Sequence, residues 1–208
     1  MTVREVMEEV LADKKFYEAS GGGITLSGGE PALSKEFSLR ILEQCKRNDI
    51  HTAVETCGEC PWSALEALLP VTDLIMMDIK HFAADKHRAA TGQSNERILE
   101  NARRLAFTNK PLVFRTPVVP SVNDSQEEIG QIASFVYDLI ELRRKNNSKN
   151  ETPASITYEL LAFHKLASDK YPSLGLEYKA ASVNPPSKDH MSKLAGEANR
   201  HGVEVCIR

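Results

Sequence analysis

The stretch that decides the fold runs from residue 74 to residue 80 and reads Leu-Ile-Met-Met-Asp-Ile-Lys. It is apolar almost throughout and acquires charge at its end, through Asp78 and Lys80. A strand buried on both faces of a parallel sheet has this composition, because helices cover both sides of such a sheet. The stretch therefore predicts a central strand of an α/β protein.

Strand and helix patterns alternate on both sides of this stretch. We predict further strands over residues 24–26, 51–55, 112–119, 155–163 and 203–207. Apolar residues at helical spacing lie between them. Helix starts are marked by pairs at capping-box spacing, and a glycine ends the last helix: Thr2 with Glu5, Ser63 with Glu66, Ser125 with Glu128, and Gly202. The alternation predicts a parallel sheet with helices outside it, in a single domain over residues 1–208. Residues 143–153 are predicted to form a polar surface loop.

Polar residues follow the C-terminal ends of successive strands. They are Gly28, Gly29 and Glu30, then Glu55 and Thr56, then Asp78 and Lys80, then Arg115, and last His164. The alternation alone permits an open doubly wound sheet or a closed or partial (β/α) barrel. Barrel active sites are built on the rim formed by these strand ends, so the polar pattern favours a barrel.

Charge and composition exclude several classes of function. The 26 Lys and Arg residues nearly balance the 29 Asp and Glu residues, so the net charge is −3. That balance gives no basic surface for nucleic acid or anionic lipid, and we expect neither as a partner. No apolar run reaches the ~20 residues of a membrane helix. The N-terminus lacks the apolar segment of a secretion signal, and four cysteines are too few for a disulfide scaffold. We therefore predict a cytoplasmic protein.

The turn at residues 26–31, Leu-Ser-Gly-Gly-Glu-Pro, carries the sharpest local signal. Paired glycines let a ligand approach the backbone, although a plain βα turn also uses them. The sequence LSGGE is similar to the signature loop of ABC-transporter ATPases, but the phosphate-binding loop that those proteins need is absent.

Each of the other candidate site residues allows both a functional and a structural interpretation. Asp78 and Lys80 point to one face of a strand end, where they would pair with each other or bind a zwitterionic ligand. Arg115 lies in an apolar strand and needs an anionic partner. Cys57 and Cys60 have redox or half-zinc spacing, but no second pair completes a zinc site. We interpret that spacing as coincidence.

Taken in order, several segments resemble the glycyl-radical-enzyme activating enzymes, which are radical S-adenosylmethionine (SAM) enzymes. The segments are residues 21–31, 51–58, 73–81, 91–101, 115–124, 159–164 and 183–188. The resemblance covers essentially the whole chain. It implies a partial (β/α) barrel and a reaction in which a reduced 4Fe–4S cluster cleaves SAM. The resulting radical removes a hydrogen atom from a glycine of a partner enzyme. Pyruvate formate-lyase or a related lyase or dehydratase is the implied partner, and flavodoxin or ferredoxin the implied electron donor.

The resemblance also implies roles for matched residues. Gly28, Gly29 and Glu30 would hold the methionyl ammonium of SAM. Asp78, Ile79 and Lys80 would line the cofactor, with Lys80 facing its carboxylate. Two more contacts are implied at Arg115 and His164, and a monovalent cation at Glu55, Thr56 and Asp78.

One departure from the family dominates the interpretation. The C-x-x-x-C-x-x-C motif that binds the cluster is absent, and Cys57 and Cys60 lie in a different segment. The family also has a first strand and a cluster loop before the helix that opens this chain. We therefore expect a truncated barrel that is inactive by itself and that self-associates through an unpaired strand edge. The alternative is a non-catalytic SAM- or peptide-binding remnant. A cluster-free barrel enzyme using Asp78, Lys80 and His164 is also open.

Overall fold

Strands and helices alternate throughout the residues that the computed structural model describes, namely 1–147, 152–166, 171, 175, 177, 178 and 180–208. The strands are β1 (Gly23–Leu26), β2 (His51–Thr56), β3 (Leu74–Asp78), β4 (Leu112–Val118), β5 (Ile156–Ala162) and β6 (Val205–Ile207). The helices are α1 (Val3–Ala12), α2 (Lys14–Ser20), α3 (Lys35–Arg47), α4 (Trp62–Leu68), α5 (Ala84–Thr91), α6 (Glu96–Phe107), α7 (Gln126–Asn146) and α8 (Lys188–Arg200). Short 3₁₀ helices cover Pro31–Ser34 and Leu69–Val71.

The strands form one sheet in the order β1-β2-β3-β4-β5-β6. The pairs β1–β2, β2–β3 and β5–β6 are parallel. An open doubly wound sheet reverses its strand order at a switch point, whereas this order follows the chain from first strand to last. The structure thus confirms the predicted α/β class with parallel strands, and the strand order is that of a (β/α) barrel segment.

The predicted strands all form, with ends shifted by up to two residues. In β3 the alternate residues Ile75 and Met77 are buried while their neighbours are partly buried, so one face of this strand is more covered than the other. Gly23 pairs with His51 across β1 and β2. A Cβ at residue 23 would lie 2.0 Å from the His51 carbonyl oxygen, so this contact requires glycine.

Helix caps agree with the sequence in part. Thr2 and Glu5 form the predicted capping box, in which the Thr2 amide donates to the Glu5 carboxylate at 2.7 Å. Gly202 follows α8 with φ of 81°, as a stop signal requires. The predicted cap at Ser63 is wrong, because α4 begins at Trp62 with Pro61 before it. Helix α5 was not predicted, since its sequence has no apolar stripe.

The chain divides into two compact units. The first unit comprises residues 1–78, 96–113 and 142–156, and the second comprises residues 79–95, 114–141 and 157–208. A core cluster of the first unit brings together Met7 of α1, Ile24 of β1, Leu42 of α3 and Val54 of β2. No helix among the described residues is long and apolar enough to cross a membrane.

The prediction of a surface loop at residues 143–153 is wrong at its start. Helix α7 continues to Asn146, and the side chain of Arg143 is buried in the first unit. Its guanidinium donates to the carbonyls of Leu105, Ala106, Lys110 and Ala154 at 2.8–3.1 Å. Five donors in a fixed fork can satisfy several helix-end carbonyls, which explains a buried arginine here. Residues 148–151 lie outside the described residues.

Replacement of Arg143 by Met is expected to lower the free energy of unfolding by about 3 kcal/mol, because several buried carbonyls lose their donors. Urea unfolding followed by circular dichroism measures the change. Lys145→Met, at an exposed position of the same helix, is the control and should stay within about 0.5 kcal/mol of the original chain. Equal stabilities of the two variants would contradict a structural role for Arg143.

Candidate functional site

The diglycine turn after β1 is open to solvent. Gly28 and Gly29 are exposed, and Gly28 has φ of 111°, which favours glycine. A Cβ built on Gly29 would meet no atom within 4 Å. A cavity of about 430 Å³ adjoins the turn, lined by Gly29, Glu30 and the apolar side chains of Leu26, Phe37 and Ile41. A ligand can therefore approach the backbone of this turn.

The side chain of Glu30 ties this turn to the end of β2. Its carboxylate accepts hydrogen bonds from the Thr56 hydroxyl at 2.8 Å, the Cys57 amide at 2.9 Å and the Ala32 amide at 3.2 Å. The Cys57 thiol donates a fourth bond at 3.2 Å. Two carboxylate oxygens offer about four lone-pair sites, so protein donors occupy this acceptor capacity. Glu30 is placed to hold the turn in position.

The loop that carries Cys57 and Cys60 is also fixed from α6. The buried Asn101 amide donates to the carbonyls of Gly58 and Cys60, both at 2.9 Å. Arg97 forms an ion pair with Glu59 at 2.9 Å. Cys60 is fully buried, and burial, with Glu30 nearby, raises the pKa of its thiol to about 12. The Cys-x-x-Cys loop therefore supports the Glu30 contacts and holds at least one thiol in its neutral form.

The predicted cation ligands Glu55, Thr56 and Asp78 lie at the ends of β2 and β3. Thr56 is opposite Met77 in the parallel register, so Asp78 lies one residue further along. The Thr56 hydroxyl donates to Glu30 and accepts from the Gly58 amide at 2.9 Å. Glu55 and Thr56 are consecutive strand residues and point to opposite faces. The cation site stays a prediction, and the described residues contain no group of three His, Cys, Asp or Glu side chains that could hold a metal.

In the second unit, residues 79–82 form a segment whose backbone is held by side chains. The Ile79 carbonyl accepts from the Thr116 hydroxyl at 2.7 Å, and the Lys80 carbonyl accepts from the Asn123 amide at 2.9 Å. The Asn95 amide donates to the carbonyls of residues 81 and 82, both at 2.8 Å. These three donors are buried. The backbone that carries Lys80 is thereby fixed on four successive carbonyls.

Glu128 of α7 anchors the same segment at residue 82. Its carboxylate accepts from the Phe82 amide at 2.8 Å and from the Lys86 ammonium at 3.0 Å. Burial by itself raises the pKa of Glu128, but these two donors and the nearby His81 bring that pKa below its usual value. The His81 Nδ1 atom lies 3.3 Å from the carboxylate without hydrogen-bond geometry. Burial lowers the pKa of His81, against the opposing influence of Glu128.

Arg115 and His164, the other two residues of the second unit predicted to contact SAM, differ in their surroundings. Arg115 lies within β4, and its Nε is 3.6 Å from the Glu159 carboxylate on β5. The expected anionic partner of this arginine is thus present in the protein. His164 is exposed two residues beyond β5, and its ring accepts from the Leu166 amide at 3.4 Å.

Sequence reasoning did not find the residues that hold these segments. Asn95, Asn101 and Asn123 lie in segments that carry the family resemblance, but no periodicity marks them, because each bonds to a backbone distant in sequence. The spacing of Ser125 and Glu128 predicts a capping box. The Ser125 hydroxyl does accept from the Glu128 amide at 3.1 Å, but the Glu128 side chain turns to residues 82 and 86.

The thiols of this chain do not fit a 4Fe–4S cluster. Such a cluster needs three or four thiolates around one centre. Cys45 is buried in the core of the first unit against the Met7 sulfur at 3.8 Å, and Cys206 lies on β6 in the second unit. Cys57 and Cys60 remain as one pair, and Cys57 donates to a carboxylate. The four cysteines, all of which lie within the described residues, therefore supply no cluster site.

Comparisons with known proteins give a consistent picture. The profile of the Radical SAM superfamily matches residues 1–135. The (2S)-3-sulfopropanediol dehydratase activating enzyme of Klebsiella oxytoca is 37% identical, with 100% of this chain and 63% of that protein covered. The pyruvate formate-lyase 1-activating enzyme of Escherichia coli is 34% identical, with 99% of this chain and 79% of that protein covered.

Another relative shows how much longer these proteins are. The isethionate sulfite-lyase activating enzyme of Oleidesulfovibrio alaskensis is 44% identical over 82% of this chain, but the match spans 51% of that protein. Among solved structures, a domain of pyruvate-formate lyase-activating enzyme from Bacteroides vulgatus has a TM-score of 0.69 at 24% identity, with 90% of this chain and 99% of that chain covered. That likeness concerns the fold. The chain spans about half to two thirds of several curated relatives.

Alkylation by iodoacetamide in the native state is expected to reach Cys206 fastest and to spare Cys45 and Cys60. Cys206 is exposed, whereas the other two are buried and burial raises the pKa of each thiol. The thiolate is the nucleophile, so a raised pKa and burial both slow the reaction. Peptide mass spectrometry against time measures the order, with urea-unfolded protein as the control. Native labelling of Cys60 at the rate of Cys206 would contradict this structure of the loop.

Proposed function

Because this chain belongs to the radical SAM superfamily, among the activating enzymes of glycyl radical enzymes, we propose that it provides SAM-binding elements of such an enzyme. The observation that carries the proposal is the open diglycine turn beside a cavity, held in place by Glu30. When bound, SAM supplies the radical chemistry, while the protein's residues bind and orient it.

We propose separate roles for the predicted residues. Gly28 and Gly29 take the methionyl part of SAM through their backbone, and Glu30 positions that turn through its bonds to Thr56 and Cys57. Lys80, on its fixed backbone, takes a carboxylate. Contacts with the ligand are also proposed at Asp78, Ile79, Arg115 and His164. The monovalent cation at Glu55, Thr56 and Asp78 is a further proposal that rests on the family resemblance.

For the whole protein we propose the activation of a glycyl radical enzyme. The names of the relatives include a formate-lyase, a sulfite-lyase and a dehydratase as the enzymes that are activated. A flavodoxin or ferredoxin as electron donor and a cytoplasmic location complete this proposal. Self-association through the edge of β1, the outer strand of the described sheet, stays a prediction.

A binding function without catalysis is the second candidate for this chain by itself. It is favoured by the disposition of the four thiols, which supply no cluster site. Anaerobic incubation with iron and sulfide separates the two candidates. We expect no stoichiometric 4Fe–4S absorbance and no cleavage of SAM. A stoichiometric cluster that cleaves SAM would instead establish catalysis by this chain.

Titration calorimetry tests the binding of SAM directly. The unmodified chain is expected to bind, and Gly29→Ala is expected to weaken binding about tenfold, because a new methyl group occupies the open side of the turn. Gly196→Ala is the matched control, since a Cβ at Gly196 also meets no atom within 4 Å and neither glycine has a positive φ. That variant should bind like the original. No heat from the unmodified chain, or equal affinities for both variants, would contradict the proposed site.

A further inference from the structure

Residues 79–82 are fixed far more completely than a loop after a strand requires. Their four carbonyls accept hydrogen bonds from the side chains of Thr116, Asn123 and Asn95. Connecting segments ordinarily leave such groups to water. Here the donors are buried and come from three places in the sequence of the second unit, so side-chain contacts define the conformation of the segment.

Asn123 shows how closely this arrangement is defined. Its amide nitrogen donates to Lys80 and also to the Pro117 carbonyl at 2.8 Å, while its amide oxygen accepts from the Val119 amide at 2.7 Å. Three bonds use most of the capacity of an asparagine side chain. The segment that carries Lys80 is thereby locked to the end of β4.

Glu128 adds a charged anchor at the far end of the segment. Its side chain is 1% exposed, and burial of a carboxylate is unfavourable unless donors compensate for lost water. The Phe82 amide and the Lys86 ammonium provide that compensation. A glutamate at this position of α7 could instead accept a hydrogen bond from the Ser125 amide, which is the local contact of a capping box. The side chain instead reaches residue 82, 46 positions earlier in the chain.

We infer that Glu128, Asn123 and Asn95 are positioning residues that hold the backbone of residues 79–82, and with it Lys80, for the carboxylate of an amino-acid ligand. This inference rests on the proposed function, because Lys80 is there a residue that binds SAM. The three residues act through the segment and are not themselves assigned to the ligand.

Two variants of Glu128 separate positioning from charge. Glu128→Gln keeps an oxygen that accepts from the Phe82 amide, whereas Glu128→Leu has similar size and no acceptor; both remove the charge beside Lys86. Calorimetry should show SAM affinity within about threefold of the original for Gln and at least about tenfold weaker for Leu. Hydrogen exchange of the peptide covering residues 79–83 should accelerate about tenfold in the Leu variant, because local protection is lost.

Two further variants test whether misfolding or general destabilisation explains a loss of binding. Asn123→Ala removes the donor to Lys80 and should also weaken binding about tenfold, and it serves if Glu128→Leu does not fold. Arg143→Met, which is destabilised in the first unit, should keep full affinity. The inference is overturned if Glu128→Leu and Asn123→Ala bind like the original, if Gln and Leu weaken binding equally, or if Arg143→Met weakens it as much. Failure of the unmodified chain to bind SAM would instead remove the proposed function itself.

Discussion

Backbone groups that leave a parallel sheet need partners, and this requirement shapes both candidate segments. Within β-sheet interiors the neighbouring strand supplies those partners, but beyond the last residue of a strand it cannot. In the first unit the carboxylate of Glu30 satisfies the amide of Cys57 after β2. In the second unit Thr116, Asn123 and Asn95 satisfy the carbonyls after β3. The diglycine turn and Lys80 are therefore carried on backbone that other side chains have already ordered.

The strands were predictable because a buried strand needs apolar residues that are close together in the sequence. Leu74 to Met77 and Leu112 to Val118 are short, largely apolar runs, as buried strands are, and both form strands. Helix α5 was missed for the same reason, since residues 84–91 contain one buried side chain, His87, and little apolar pattern. Arg143 was misassigned because a charged residue in a polar stretch predicts exposure. Its burial depends on carbonyls from α6 and from residue 154, which no local pattern reveals.

The site residues at the strand ends could be predicted from the sequence, but the side chains that hold their backbone in place could not. The diglycine turn, Asp78 and Lys80 stand out because such residues are unusual after apolar strands. Their supports come from far along the chain: Asn95 is 14 positions from His81, and Asn123 is 43 positions from Lys80. A single sequence does not encode such pairings in its periodicity. Glu128 illustrates the difficulty, because its spacing from Ser125 correctly predicts a helix start while its side chain serves another segment.

The environment of Cys57 explains why Cys-x-x-Cys spacing does not indicate a cluster here. A cluster ligand must be a thiolate, and a thiolate is favoured by nearby positive charge or by amide donors. Cys57 instead donates its thiol proton to the carboxylate of Glu30, an arrangement that exists only while the sulfur is neutral. Loss of that proton would bring two negative charges to a separation of 3.2 Å. The same carboxylate that holds the diglycine turn thus favours the neutral thiol of Cys57, and this contact fits the role of the loop as a support for that turn.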